Sequence, residues 1–275
     1  MRTGTASGVQ IVFLSFAVLL LAVPLSTYVV GHLQSPTAEE AFIRRFIPFV
    51  LGAIALLSFP TLRRTVISEL SRPIPKERRA EVALLGIAKI SLAFAYVGAL
   101  ALWYWTTQGS AVLEQSLRGP PRDQQMAEAF ATPGLLMVVL GTIVAPILEE
   151  VLFRGLLYRA WEKRWGAFAS AVFTSALFAS YHPFFLSAFL GGIVFVCLVR
   201  RTGTIWGSIP VHAIFNLLLW YPLAGQFVFP DPAKALGDLS TWGFHLACLL
   251  FAFVALPLYA LLAAQRPYAS KPEIV

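Results

Sequence analysis

Charge and cysteine are both scarce in this chain. Only 13% of its 275 residues are Asp, Glu, Lys or Arg, while 58% are hydrophobic, and the mean hydropathy is +0.73. So little charge cannot keep a soluble domain of this size in water, which excludes a water-soluble globular protein. The two cysteines, Cys197 and Cys248, lie inside apolar runs and lack the paired spacing of a metal or redox motif. A disulfide framework and a thiolate metal centre are thereby excluded, and both residues read as small buried hydrophobes. Repeats and low-complexity tracts are missing as well. No interval between apolar runs could hold a second folded unit, so residues 1–275 read as a single polytopic membrane domain.

What the chain does have is long apolar runs. A helix needs about 20 such residues to cross a bilayer, and eight candidates occur: 9–31, 42–60, 80–106, 133–158, 166–181, 184–199, 203–222 and 241–264. The fold expected is an all-α integral membrane bundle of about eight transmembrane helices. The first run follows Arg2, as in a signal peptide, but its apolar core is too long and lacks a small-residue cleavage site, so an uncleaved helix is expected.

The net charge of +7 does not point to a nucleic-acid partner, because the basic residues sit in short loops between apolar runs. With the N-terminus inside, one side collects 14 of them: Arg2, Arg63, Arg64, Arg72, Lys76, Arg78, Arg79, Arg159, Lys163, Arg164, Arg200, Arg201, Arg266 and Lys271. The other side holds 5: Arg44, Arg45, Arg118, Arg122 and Lys234. Cytoplasmic loops keep the excess, so both termini are expected in the cytoplasm. Lys89, several residues into the third run, reads as a chain that snorkels to the inner surface. His32 and His245 read as interfacial, and Trp103, Trp105, Trp220 and Tyr221 as an aromatic belt.

Ionisable residues inside apolar runs are costly and tend to be functional. Glu149 and Glu150 are adjacent, and Arg154 follows Glu150 by four residues, so those two share a helix face and pair. Glu149 points about 100° away and is left free. A buried bridge that only pins the helix is the plainer alternative. Phe178 and His182 are also four apart, which sets the ring beside the imidazole; a helix cap is the plainer reading there. His212 and Asn216 repeat the spacing, and two polar donors on one face suit a developing oxyanion as well as an interhelical hydrogen bond. The fifth and sixth runs are short, and Ser187 with Gly191 and Ala188 with Gly192 provide small-residue pairs for close helix contact. Counted along straight helices, His182 stands about 24 Å from the inner boundary and Glu149 about 13 Å, so a tilted hairpin or a fifth segment starting outside the bilayer is needed to bring them together.

As a set these residues are the main polar groups such a bundle must bury, and they should cluster. A base, two imidazoles and an amide are what water-driven amide hydrolysis requires, and no Ser or Cys stands out as a nucleophile.

The ordered motifs Glu149-Glu150-x-x-x-Arg154, Phe178-x-x-x-His182 and His212-x-x-x-Asn216 resemble those of the CPBP family of intramembrane glutamic endopeptidases. That family includes the CAAX prenyl endopeptidases, the Abi proteins and bacteriocin-processing proteins. The resemblance covers about residues 145–220, within a catalytic core of about 133–222, and the family fold agrees with eight helices. It implies that Glu149 is the general base, that His182 helps hold the water, that Glu150 and Arg154 support the base, and that His212 and Asn216 form the oxyanion hole. No cofactor or metal is implied. The partners expected are a peptide or protein substrate at the membrane and the lipid bilayer. The basic loops fit a bacterial inner membrane and an internal eukaryotic membrane alike; the short loops and the lack of a soluble extension favour the bacterial one as the expected location. Two other readings stay open: a zinc protease using Glu149, His182 and His212, and a non-catalytic scaffold or immunity protein that binds a peptide.

Overall fold

A computed structural model describes residues 58, 60–109, 138–180, 182, 185–220 and 239–265. Among the described residues the fold is helical, without strands. The runs 9–31 and most of 42–60, with His32, Tyr221 and most of the long outer loop, lie outside them, as do the termini whose side the charge count assigns. Among the described residues three helices are long and apolar enough to cross a membrane: Lys76–Gln108, Phe185–Thr202 and Leu239–Ala264.

Helix α1 (Pro60–Leu70) falls where the sequence suggests a basic loop. Arg63 and Arg64 point outward, whereas Leu62, Val66 and Glu69 are buried, so the charges mark one face of an amphipathic helix. Helix α2 (Arg79–Gln108) follows a short 3-10 turn.

The next described segment changes its winding. Residues Leu140–Val144 form a π-helix, α3 (Ala145–Glu149) is α-helical, and Glu150–Tyr158 is again π-wound before α4 (Arg159–Ala179). Pro146 accounts for the first widening. It has no N–H to donate, and its ring crowds the carbonyl of Thr142 one turn back. Helix α4 is broken at Gly166, whose φ of 78° and ψ of 170° few other residues adopt. The helix therefore continues past the expected end at 158 to about Trp165 and restarts in a new direction.

Helix α5 (Phe185–Thr202) ends at Gly203, with φ 74°, whose N–H caps the Val199 carbonyl at 2.8 Å. A 3-10 turn at Ile205–Gly207 leads into α6 (Ile209–Trp220), and α7 (Leu239–Ala264) closes the described chain. Helix α5 packs on α4 at the small-residue pair: a Cβ on Gly192 would stand 2.8 Å from Ser175 Cβ and 3.1 Å from its Cα. Helix α7 lies along α2 with Cys248, Ala252, Tyr259 and Ala263 buried, while Leu246, Leu250, Val254, Leu258 and Leu261 form an exposed apolar stripe suited to lipid.

His245 is buried in the α2–α7 seam, where Gly98 makes room for it and Nδ1 donates to the Phe94 carbonyl at 2.8 Å. One sequence expectation changes here. Lys89 does not snorkel, being 2% exposed in the interior of the bundle. Trp103 and Trp105 are exposed near the end of α2, with Trp105 stacked on Trp242.

Five of the basic residues counted on the inner side converge through ion pairs. Arg72 and Arg159 meet Glu69, Arg78 and Arg201 meet Glu81, and Arg200 meets Glu162 and the Tyr158 hydroxyl. Burial pushes the Glu69 carboxyl above its ordinary value, and the guanidinium groups of Arg159 and Arg72 oppose that rise. Trp206 Nε1 donates to the Leu70 carbonyl at 2.7 Å and Thr204 Oγ1 to the Arg72 carbonyl at 2.6 Å, which ties α1 to the turn before α6.

Candidate active site

The acidic pair divides as helical spacing suggests, and then gains partners. Arg154 Nη1 donates to Glu150 Oε1 at 3.0 Å, with both side chains fully buried. Arg154 also reaches the Gly192 carbonyl at 3.4 Å, and its guanidinium lies 4.5 Å from the centre of the Phe178 ring and 5.1 Å from that of Phe195. The aromatic faces help hold a cation that has left water.

Glu150 is not reserved for Arg154. His212 Nδ1 lies 3.0 Å from Glu150 Oε1, and Ser208 Oγ donates to Glu150 Oε2 at 2.7 Å. A carboxylate accepts, so Nδ1 carries the proton in the His212 contact. That fixes the ring with Nε2 towards Glu149, whose Oε2 is 3.5 Å away. At that distance the carboxylate oxygen and the imidazole nitrogen face each other without a direct hydrogen bond. Glu149 is 8% exposed, and its Oε2 has no hydrogen-bond partner among the described residues.

The ring of His212 stacks on Phe195, with centroids 4.6 Å apart, and meets the edge of Phe178 at 5.7 Å. His182 lies against the same Phe178, at 4.4 Å, and its Nδ1 donates to the Phe178 carbonyl at 2.8 Å. The carbonyl only accepts, so His182 Nε2 keeps its lone pair. Phe178 thus connects the two imidazoles. The bend at Gly166 re-aims the helix that carries Phe178 and His182, which a count along a straight helix does not include.

Asn216, on the same face of α6 as His212, donates from Nδ2 to the Gly141 carbonyl at 3.0 Å. One of its two amide hydrogens is thereby used to hold α6 to the π-wound segment. Glu149, Glu150, Arg154, Phe178 and His212 form one contact network; His182 joins it through Phe178, and Asn216 joins it along α6. Among the described residues no three His, Cys, Asp or Glu side chains are placed to hold a metal ion.

Sequence does not single out Ser208 or Phe195, and it marks Gly192 only for close packing. Ser208 carries a signal nonetheless, since it precedes His212 by four residues and its carbonyl accepts the His212 N–H at 2.9 Å. Its hydroxyl is fully buried and directed at Glu150, which makes it a positioning group rather than a nucleophile. Ser208→Ala removes a donor from a buried carboxylate, and a loss of about 1–3 kcal/mol of stability is expected, read from thermal unfolding in detergent.

Residues 131–218 match the family described as "Type II CAAX prenyl endopeptidase Rce1-like". Glu149 through Asn216 all fall in that stretch. The chain is also 28% identical over 209 residues to the Bacillus subtilis (strain 168) protein named "Putative membrane peptidase YdiL", covering 72% of this chain and 80% of that one. No solved structure matches it.

Proposed function

We propose that this chain, a member of the CPBP family of CAAX-type membrane proteases, hydrolyses a peptide bond with water activated by Glu149. The observation that carries the reading is the buried Glu149 carboxylate, whose Oε2 has no hydrogen-bond partner among the described residues and faces His212 Nε2 at 3.5 Å. A carboxylate held out of water beside an imidazole, with the neighbouring Glu150 already neutralised by Arg154, is equipped to accept a proton.

In this mechanism water gives one O–H to Glu149 and the other to the lone pair of His182 Nε2. Its own lone pair then points at the scissile carbonyl. Glu149 takes the proton, the oxygen bonds to the carbonyl carbon, and the resulting oxyanion is received by the second amide hydrogen of Asn216 and by His212, which donates from Nε2 in its imidazolium form while Nδ1–H stays on Glu150. Glu149 returns the proton to the leaving nitrogen as the C–N bond breaks, and no acyl-enzyme forms. Glu150 keeps His212 in register, and Ser208 and Arg154 keep Glu150 in register.

The substrate is a peptide or protein at the membrane, cut on the cytoplasmic side of a bacterial inner membrane by a bundle of about eight spans with both termini inside. The positive-inside asymmetry supports that orientation. Comparison of protein termini in cells carrying the wild type and Glu149→Gln tests this reading. Termini present only with the wild type are the expected result; identical termini overturn it.

A further inference from the structure

Helix α2 brings an ammonium group to this site that the hydrolytic mechanism does not use. Lys89 is 2% exposed, and its Nζ lies 3.3 Å from the centre of the Phe215 ring on α6. Its terminal carbons run along Gly191 on α5, where a Cβ would stand 2.7 Å from Cε. A side chain at 191 would occupy the space that the lysine fills.

No carboxylate among the described residues pairs with Lys89. Glu150 is engaged by Arg154, His212 and Ser208, and Glu149 faces His212. A ring face offsets only part of what an ammonium loses on leaving water. Buried cations are ordinarily paired, so one that meets no anion among the described residues is suited to an anion that arrives with a ligand.

Its position says which ligand. Phe215 precedes Asn216 on α6, and Gly191 precedes Gly192, whose carbonyl accepts from Arg154. The ammonium therefore stands beside the reaction centre, held by three helices. Unmodified peptides carry negative charge as a side-chain carboxylate or as the C-terminal carboxylate. We propose that Lys89, seated between Phe215 and Gly191, forms a subsite that binds a carboxylate of the peptide substrate close to the scissile bond. This rests on the peptidase reading and adds a specificity-determining residue to it.

The test uses purified Glu149→Gln protein in detergent and three pools of short, randomised, fluorescently labelled peptides. The first has a free C-terminal carboxylate and no Asp or Glu. The second is its C-terminal amide, and the third is an amide that contains Glu. At least one carboxylate-bearing pool should bind about tenfold more tightly than the neutral pool. Preference for the first identifies the C-terminus as the anion, and preference for the third identifies a side chain. Lys89→Met should remove the preference. Gly191→Ala, which keeps the charge but displaces it, should weaken the preference and decides the matter if Lys89→Met does not fold. Equal binding of all three pools, or a preference that survives both substitutions, overturns the subsite. Cleavage of the pools by the wild type is scored separately. Lysine-dependent binding without cleavage keeps the subsite and removes the peptidase reading, whereas cleavage without a carboxylate preference does the reverse.

Discussion

Glu149→Gln is expected to slow peptide cleavage by about a thousandfold or more while the protein still folds. Proton transfer by a placed side chain contributes about 10²- to 10⁴-fold, and in the proposed mechanism the same carboxylate both takes the proton from water and returns it to the leaving nitrogen. An amide of the same shape can do neither. It should be tolerated structurally, because Glu149 Oε2 makes no hydrogen bond among the described residues that Gln would lose, and the amide adds no charge to a buried position. Rate and unfolding temperature should therefore separate: kcat falls, and the thermal midpoint in detergent stays close to that of the wild type. A variant that cleaves at the wild-type rate would remove Glu149 from the chemistry.

Arg154→Met has its main effect on the fold. The guanidinium is fully buried and joins Glu150, the Gly192 carbonyl and the faces of Phe178 and Phe195. Removing one member of a buried ion pair costs about 3–5 kcal/mol, because the other charge is left without its partner. Ser208 and His212 remain against Glu150, but neither supplies a permanent positive charge. Low yield and a markedly lower thermal midpoint are expected for Arg154→Met. The double substitution Glu150→Gln with Arg154→Met should recover a large part of the loss, since it no longer strands a carboxylate. An unchanged midpoint in Arg154→Met would mean that the pair contributes little.

Spacing along a helix makes part of this site legible in the sequence. Glu150 with Arg154, and Phe178 with His182, are each four residues apart, and both pairs make the contact that a shared face implies. His212 and Asn216 lie on one helix for the same reason. What spacing cannot supply is a partner from another helix. Ser208 reaches Glu150 across 58 positions, and Asn216 reaches Gly141 across 75. The winding is hidden too, because an apolar pattern is read at 3.6 residues per turn, and the π-wound residues around Glu149 depart from it. For Lys89 a sound general rule gives the wrong place. A long basic chain a few residues inside a span ordinarily reaches the surface, but Gly191 opens a place for it in the interior. Helix α1 looks like a loop in the sequence because Arg63 and Arg64 outweigh Leu62 and Val66, whose burial is set by contacts with other helices.

In the proposed mechanism a protein carboxylate, rather than a bound metal, activates the water. The measurement that bears on it most directly is the cleavage rate of purified wild-type protein, on a peptide identified from the terminal comparison, after metal removal by chelator and confirmation by elemental analysis. The expected result is the same rate before and after metal removal. Loss of activity in the metal-free protein, restored by adding zinc, would contradict it and would assign Glu149 and His212 to a metal instead.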